Sequence, residues 1–142
     1  MHFNMADLFE SVADAIPDRE AVICGDTRLT YRQLDERATR VAHALAERGV
    51  GAGDHVGFYL HNGTEYLESM LGCFKLRAVP INVNFRYVED ELRYLFGDAG
   101  LVGVIHDRGF SSRVAAVRDA MKAQRALLAV DDGSGASSDS DD

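Results

Sequence analysis

The chain has 142 residues, 46% of them hydrophobic and 27% charged, with two cysteines and no tryptophan. That length suits one domain able to bury roughly 68–70% of its unfolded surface, and the composition excludes both global disorder and a disulfide scaffold. Five acids lie in the last twelve residues, so the first 130 hold 18 acids against 15 bases and the body is near neutral. A nucleic-acid binder would show a basic face, and none is present. No stretch approaches the ~18 apolar residues of a membrane helix, and acids from Asp7 to Glu20 exclude a secretory leader. A cytoplasmic soluble protein is expected.

Leu8, Phe9, Val12, Ala13 and Ile16 form an apolar stripe that predicts a helix over Met5 to Ile16, closed by Pro17. Two β-prone runs, Ala21 to Cys24 and Arg28 to Leu29, read as a hairpin joined by Gly25, Asp26 and Thr27. Thr30 to Arg48 follows as the clearest helix. Thr30 and Gln33 suit a capping box, Leu34, Ala38, Val41, Ala42 and Leu45 line one face, and Gly49 ends it.

His55 to Leu60 reads as a strand. A second capping box, Asn62 with Glu65, would open a helix with Tyr66, Leu67, Met70, Leu71 and Phe74 on its buried face. Val79 to Val83 is the next strand. Glu89, Asp90 and Glu91 favour the positive end of a third helix, which Gly97 stops. Leu101 to Ile105 is a strand, Phe110 to Lys122 a helix, and Ala126 to Val130 a last strand. Four strands alternating with three helices predict an α/β fold: a parallel sheet with helices on both faces, preceded by a helix and a hairpin. Residues 1–130 form this α/β unit. Residues 131–142, acidic and rich in Ser and Gly, read as a disordered linker.

The glycines Gly49, Gly51 and Gly53 suggest a phosphate loop, but that chemistry needs a strand before them and a helix after. Here the order is reversed, so a helix-to-strand turn is the better account. Cys24 and Cys73 lie far apart in apolar contexts and read as buried inert thiols. His55 and His61 are six apart, and His2, His43 and His106 have no Cys or carboxylate at metal spacing, so no metal site is predicted. No catalytic triad is inferable, and Ser69, Ser111 and Ser112 lack a nucleophile-elbow context. Parallel sheets bind ligands beyond the carboxyl ends of their strands, which nominates His61, Asn62, Asn84, Arg86, His106 and Asp107. Against that stands a blander reading, because polar residues after strands often cap helices or form turns.

The order of motifs resembles the start of AMP-forming acyl-CoA synthetases, the adenylate-forming superfamily. The residues that carry the likeness are Leu29-Thr30-Tyr31 with Leu34, Gly53-Asp54-His55-Val56, Asn62 through Glu65, and the block Phe74 to Tyr87. The similarity spans about Leu8 to Val130. NVNFRYVEDEL is similar to actinobacterial synthetases acting on fatty acyl or steroid side-chain acids. The resemblance implies a ligase that uses ATP, Mg2+ and CoA to turn a carboxylic acid into an acyl-adenylate and then a thioester. It also implies that this chain is the first subdomain of the large N-terminal domain, since the family's Pro-Lys-Gly phosphate loop, adenine motif, ribose-binding Asp and catalytic Lys have no counterpart here. Hence no catalytic residue is carried over, cofactor-binding residues are left unassigned, and the chain alone is expected to be inactive and to self-associate. Its implied partner is the missing second subdomain. The alternative is a non-catalytic truncated module that binds a protein partner.

Overall fold

The computed structural model describes residues 4–138 and residue 140. His2, of the histidines weighed above, and Asp139, Asp141 and Asp142 of the expected linker lie outside the described residues.

The first helix, α1 (Met5–Ala15), is capped by the Asn4 side chain, which accepts from the Ala6 N–H. Its buried face centres on Ala6 and Ala13, while Leu8 and Ile16 of the expected stripe stay exposed. Strands β1 (Glu20–Cys24) and β2 (Thr27–Thr30) pair antiparallel. Their turn is shorter than expected, because Thr27 already pairs with Cys24 and leaves Gly25 and Asp26 as the connection. Cys24 is exposed, contrary to the expectation of a buried thiol. It ends a strand of a two-stranded ribbon, beside the exposed turn residues Gly25 and Asp26. Both cysteines are free.

Helix α2 (Tyr31–Glu47) opens with the expected capping box. Thr30 Oγ1 accepts from the Gln33 N–H at 3.2 Å, and Gln33 Oε1 accepts from the Thr30 N–H at 2.9 Å. Then come β3 (His55–Tyr59), α3 (Thr64–Leu76), β4 (Val79–Asn82), α4 (Glu89–Asp98), β5 (Leu101–Asp107), α5 (Ser111–Val117) and β6 (Ala126–Val130). The four strands are parallel, in the order β4-β3-β5-β6.

Alternation along the strands divides the core between two faces. Val56, Phe58, Leu60, Val102, Ile105, Ala126 and Leu128 pack with Leu45 of α2 and Cys73 of α3. Tyr59, Leu101, Val104 and Leu127 pack on the other face with Leu92 and Phe96 of α4 and Val114 and Val117 of α5. This is the expected α/β architecture, with helices on both faces.

Four local expectations are corrected. Asn62 does not cap α3: the N-cap is Gly63, with no side-chain bond, and Glu65 falls in the first turn. The fully buried residues of α3 are Thr64, Glu68, Ser69, Gly72 and Cys73; of the expected apolar face, Tyr66 and Met70 pack against the core partly buried, and Leu67 is exposed. The reason is a close approach to α2. A Cβ on Gly72 would sit 2.9 Å from Val41 Cγ1 and 3.0 Å from the Ala38 carbonyl oxygen, so no side chain fits at that point of the seam. Gly97 lies inside α4, and the chain turns instead at Gly100, whose φ of +62° suits glycine. The helix expected over Phe110 to Lys122 is a single short helix, α5, flanked by 3-10 turns over Arg108–Phe110 and Arg118–Ala120.

Candidate functional site

The carboxyl ends of β3, β4 and β5 lie side by side, because β3 pairs with both neighbours in parallel. Of the six nominated residues, His61 and Asp107 are brought into direct contact. Asp107 Oδ2 takes the His61 backbone N–H at 2.8 Å and lies 2.7 Å from its Nδ1. The side chain of Asp107 is 10% exposed and that of His61 is 58% exposed, so a buried carboxylate orients an open imidazole. A carboxylate at Nδ1 fixes the ring and leaves Nε2 as its outward atom.

Two aromatic rings flank the imidazole. The centroid of Phe85 lies 4.7 Å away and that of Phe110 5.0 Å away. Phe110 also stacks on Tyr59 at 4.3 Å. Guanidinium groups complete the cluster: Arg86 lies 5.6 Å from the Phe85 centroid, and Arg113 lies 5.5 Å from that of Phe110. Arg113 also donates to the Tyr59 hydroxyl at 3.1 Å, and that hydroxyl donates to the Tyr87 carbonyl at 2.6 Å. Tyr59, Phe85, Tyr87, Phe110 and Arg113 were not nominated from sequence. The strand-end rule selected polar residues only, and extending it to the aromatic neighbours of those positions would have found Phe85.

The remaining nominees are spread around this cluster. Arg86 joins it through Phe85, whereas Asn84 uses its Oδ1 to accept the Arg86 N–H at 2.9 Å. Asn62 is exposed. His106 precedes Asp107 on the strand and therefore faces the opposite side. It is fully buried, with Nε2 2.9 Å from Ser140 Oγ. Nearby, Asp132 Oδ2 accepts the Gly109 N–H at 2.8 Å. Hydrogen bonds from Ser134, assisted by Gly109, hold the Asp132 carboxyl down at about 2.

The glycine-rich loop does run from helix to strand. Gly49 and Gly53 take φ of +86° and +80° between α2 and β3, at the amino ends of the strands. No group of three or more His, Cys, Asp or Glu able to hold a metal ion occurs among the described residues. No helix among them is long and apolar enough to cross a membrane.

The sequence pattern of the AMP-binding enzyme family matches residues 9–141. The chain belongs to that family. A medium/long-chain-fatty-acid–CoA/3-oxocholest-4-en-26-oate–CoA ligase of Mycobacterium marinum is 51% identical over 131 residues, covering 92% of this chain and 24% of that protein. A 3-oxocholest-4-en-26-oate–CoA ligase of Rhodococcus rhodochrous is 45% identical, covering 94% of this chain and 24% of that one. The chain therefore spans about a quarter of the length of the curated relatives it matches. Among solved structures, a Rhodopseudomonas palustris protein described as a long-chain-fatty-acid CoA ligase superposes with a TM-score of 0.86 at 31% identity, over 96% of this chain and 35% of that one. The N-terminal domain of FACL13 from Mycobacterium tuberculosis shares the fold, with a TM-score of 0.82 at 24% identity, over 91% of this chain and 34% of that domain. The family's parallel sheet and antiparallel ribbon are thus those described above.

Proposed function

We propose that this chain is the N-terminal α/β portion of an AMP-forming acyl-CoA ligase that activates a fatty acyl or steroid side-chain acid in the cytoplasm. The observation that carries this is the 51% and 45% identity to two such ligases across more than nine-tenths of the chain. In the complete enzyme, ATP and Mg2+ supply the adenylating power and CoA the thiol.

The residues present here do not fit the phosphates or the metal ion. The glycine loop leads into a strand rather than a helix, and no three acidic, His or Cys groups converge on a metal position among the described residues. No step of the reaction is therefore assigned to these residues. Their part is structural, with the sheet and its carboxyl-end cluster packing against the subdomain that carries the chemistry. Residues 131–142, beyond β6, serve as the acidic connection.

Purified 142-residue protein, given ATP, magnesium and a fatty or steroid acid, is expected to release no pyrophosphate above a heat-killed control. Release above that control would overturn the assignment of a supporting role. Met5, Leu8, Ile23, Val88 and Tyr94 are half or more exposed, and a face meant for a second subdomain would add to the apolar area open to self-association. Sedimentation velocity should show species larger than a monomer as concentration rises; a single monomeric boundary throughout would oppose this.

A further inference from the structure

A cavity of about 360 Å3 opens at the carboxyl ends of β3 and β4 and shares Phe85 with the His61 cluster. Asn62, Asn82, Asn84 and Tyr66 provide its polar wall, and Leu60, Val83 and Phe85 its apolar one. The chain contains four asparagines in all, so three of them converge on one small cavity. No acidic or basic side chain lines it.

Ordinary structural duties account for only part of this convergence. An asparagine after a strand usually caps the next helix, but α3 is capped by Gly63 and Asn62 takes no part. Asn84 forms a turn with its oxygen alone, and Asn82 Oδ1 takes the Tyr66 hydroxyl at 2.7 Å. Both carboxamides thus have their oxygens engaged, and neither Nδ2 meets an acceptor among the described residues, which leaves these exposed groups to donate outward. Asn62 retains a donor and an acceptor. The volume falls within the range of small-molecule sites, and the strand-end position is where parallel sheets place them.

We infer that this cavity is a binding site for a small uncharged planar ligand with adjacent carbonyl or ring-nitrogen acceptors. A pyrimidine base and an aromatic carboxamide share that chemistry. Without a cation in its lining, the cavity gains nothing from a phosphate. The inference goes beyond the ligase assignment and concerns this chain by itself, because Phe85 lines the cavity and also belongs to the carboxyl-end cluster proposed to meet the second subdomain.

The test uses the 15N-labelled 142-residue chain, titrated separately with uridine and nicotinamide while the asparagine side-chain amide signals are followed. Saturable shifts of Asn62, Asn82 and Asn84 are expected, and whichever probe produces them identifies the source of the acceptor pattern. Asn4, which caps α1 through Ala6, serves as the internal control. Asn62→Leu should weaken binding about tenfold, the equivalent of one good hydrogen bond, and leave the melting temperature unchanged. The inference is overturned if neither probe gives a saturable shift by about 10 mM. Shifts of Asn4 equal to the others, or wild-type affinity in both Asn62→Leu and Asn82→Leu, would also overturn it. So would uridine monophosphate binding more tightly than uridine in a salt-dependent way.

Discussion

The two faces of the sheet are built on different principles. On one side α2 and α3 approach so closely that their seam is made of Ala38, Ser69 and Gly72, with the Glu68 carboxylate 3.0 Å from Arg37. On the other, α4 and α5 lie over bulky apolar side chains, including Phe96, Leu92, Leu101 and Tyr59. At Gly72 the first face has no room for an added atom, and its helices are also tied by charge. The second is held by the volume of its side chains. A sheet that looks symmetric in topology is therefore asymmetric in what disturbs it.

Substitution of Gly72 tests that asymmetry most directly. The methyl group of Gly72→Ala would meet Val41 and the Ala38 carbonyl at about 3 Å, and the carbonyl belongs to rigid helical backbone. Overpacking of that kind costs about 1–3 kcal/mol, partly offset by up to about 1 kcal/mol of helix propensity. A net loss of about 1–2 kcal/mol in urea unfolding is expected. An unchanged midpoint would mean that α2 and α3 separate freely.

The charge on the same side gives a smaller effect with a pH signature. Lys75 of α3 lies 2.6 Å from Glu10 of α1 and 2.7 Å from Asp35 of α2, and only 12% of its side chain is exposed. Burial works against the charged ammonium, but hydrogen bonds and attraction from Asp35 and Glu10 outweigh it and raise the Lys75 pKa. The folded state therefore holds this proton more tightly than the unfolded chain does. Its stabilisation is complete below the ordinary lysine pKa and is lost as pH rises through the raised folded value. Lys75→Met should cost about 1–2 kcal/mol near neutral pH, because Glu10 stays hydrated whereas the buried Asp35 Oδ1 loses its charged partner. The deficit relative to wild type should be constant up to about pH 9 and shrink beyond about pH 10.5. A deficit independent of pH throughout would show that the aliphatic stem of Lys75, not its charge, joins the three helices.

What was legible in the sequence follows the range of the interaction that decides it. The Thr30–Gln33 box involves residues three apart, so local spacing sufficed. The His61–Asp107 pair spans 46 residues, yet both were nominated because the carboxyl-end rule needs only the strand order of events along the chain. The buried face of α3 is only partly legible, for the opposite reason. Tyr66 and Met70 do pack on the core, but only the proximity of α2 decides that Ser69 and Gly72 are buried most deeply while Leu67 is exposed. Similarly, Arg113 reaches Tyr59 across 54 residues, a contact set by β3–β5 register and by the short 3-10 turn before α5. Nothing in the spacing of either residue announces it.

The smallest effect is expected on the second face, and it has the opposite sign. Gly97 lies within α4, as Gly72 lies within α3, so the same Gly→Ala change can be made in both helices. Around Gly97, however, the nearest heavy atom to an added Cβ is the Ala120 carbonyl oxygen at 3.6 Å, an ordinary contact. Its φ is not in the left-handed region, so alanine fits the existing backbone. With no steric cost, what remains is the reduced entropy of the unfolded chain and the better helix propensity of alanine. Gly97→Ala should stabilise the protein by about 0.5 kcal/mol, since the position is one residue from the end of the helix. Measured under the conditions used for Gly72→Ala, the two variants should move the urea midpoint in opposite directions. Destabilisation by both would place a second close helix seam on the α4 side and remove the asymmetry.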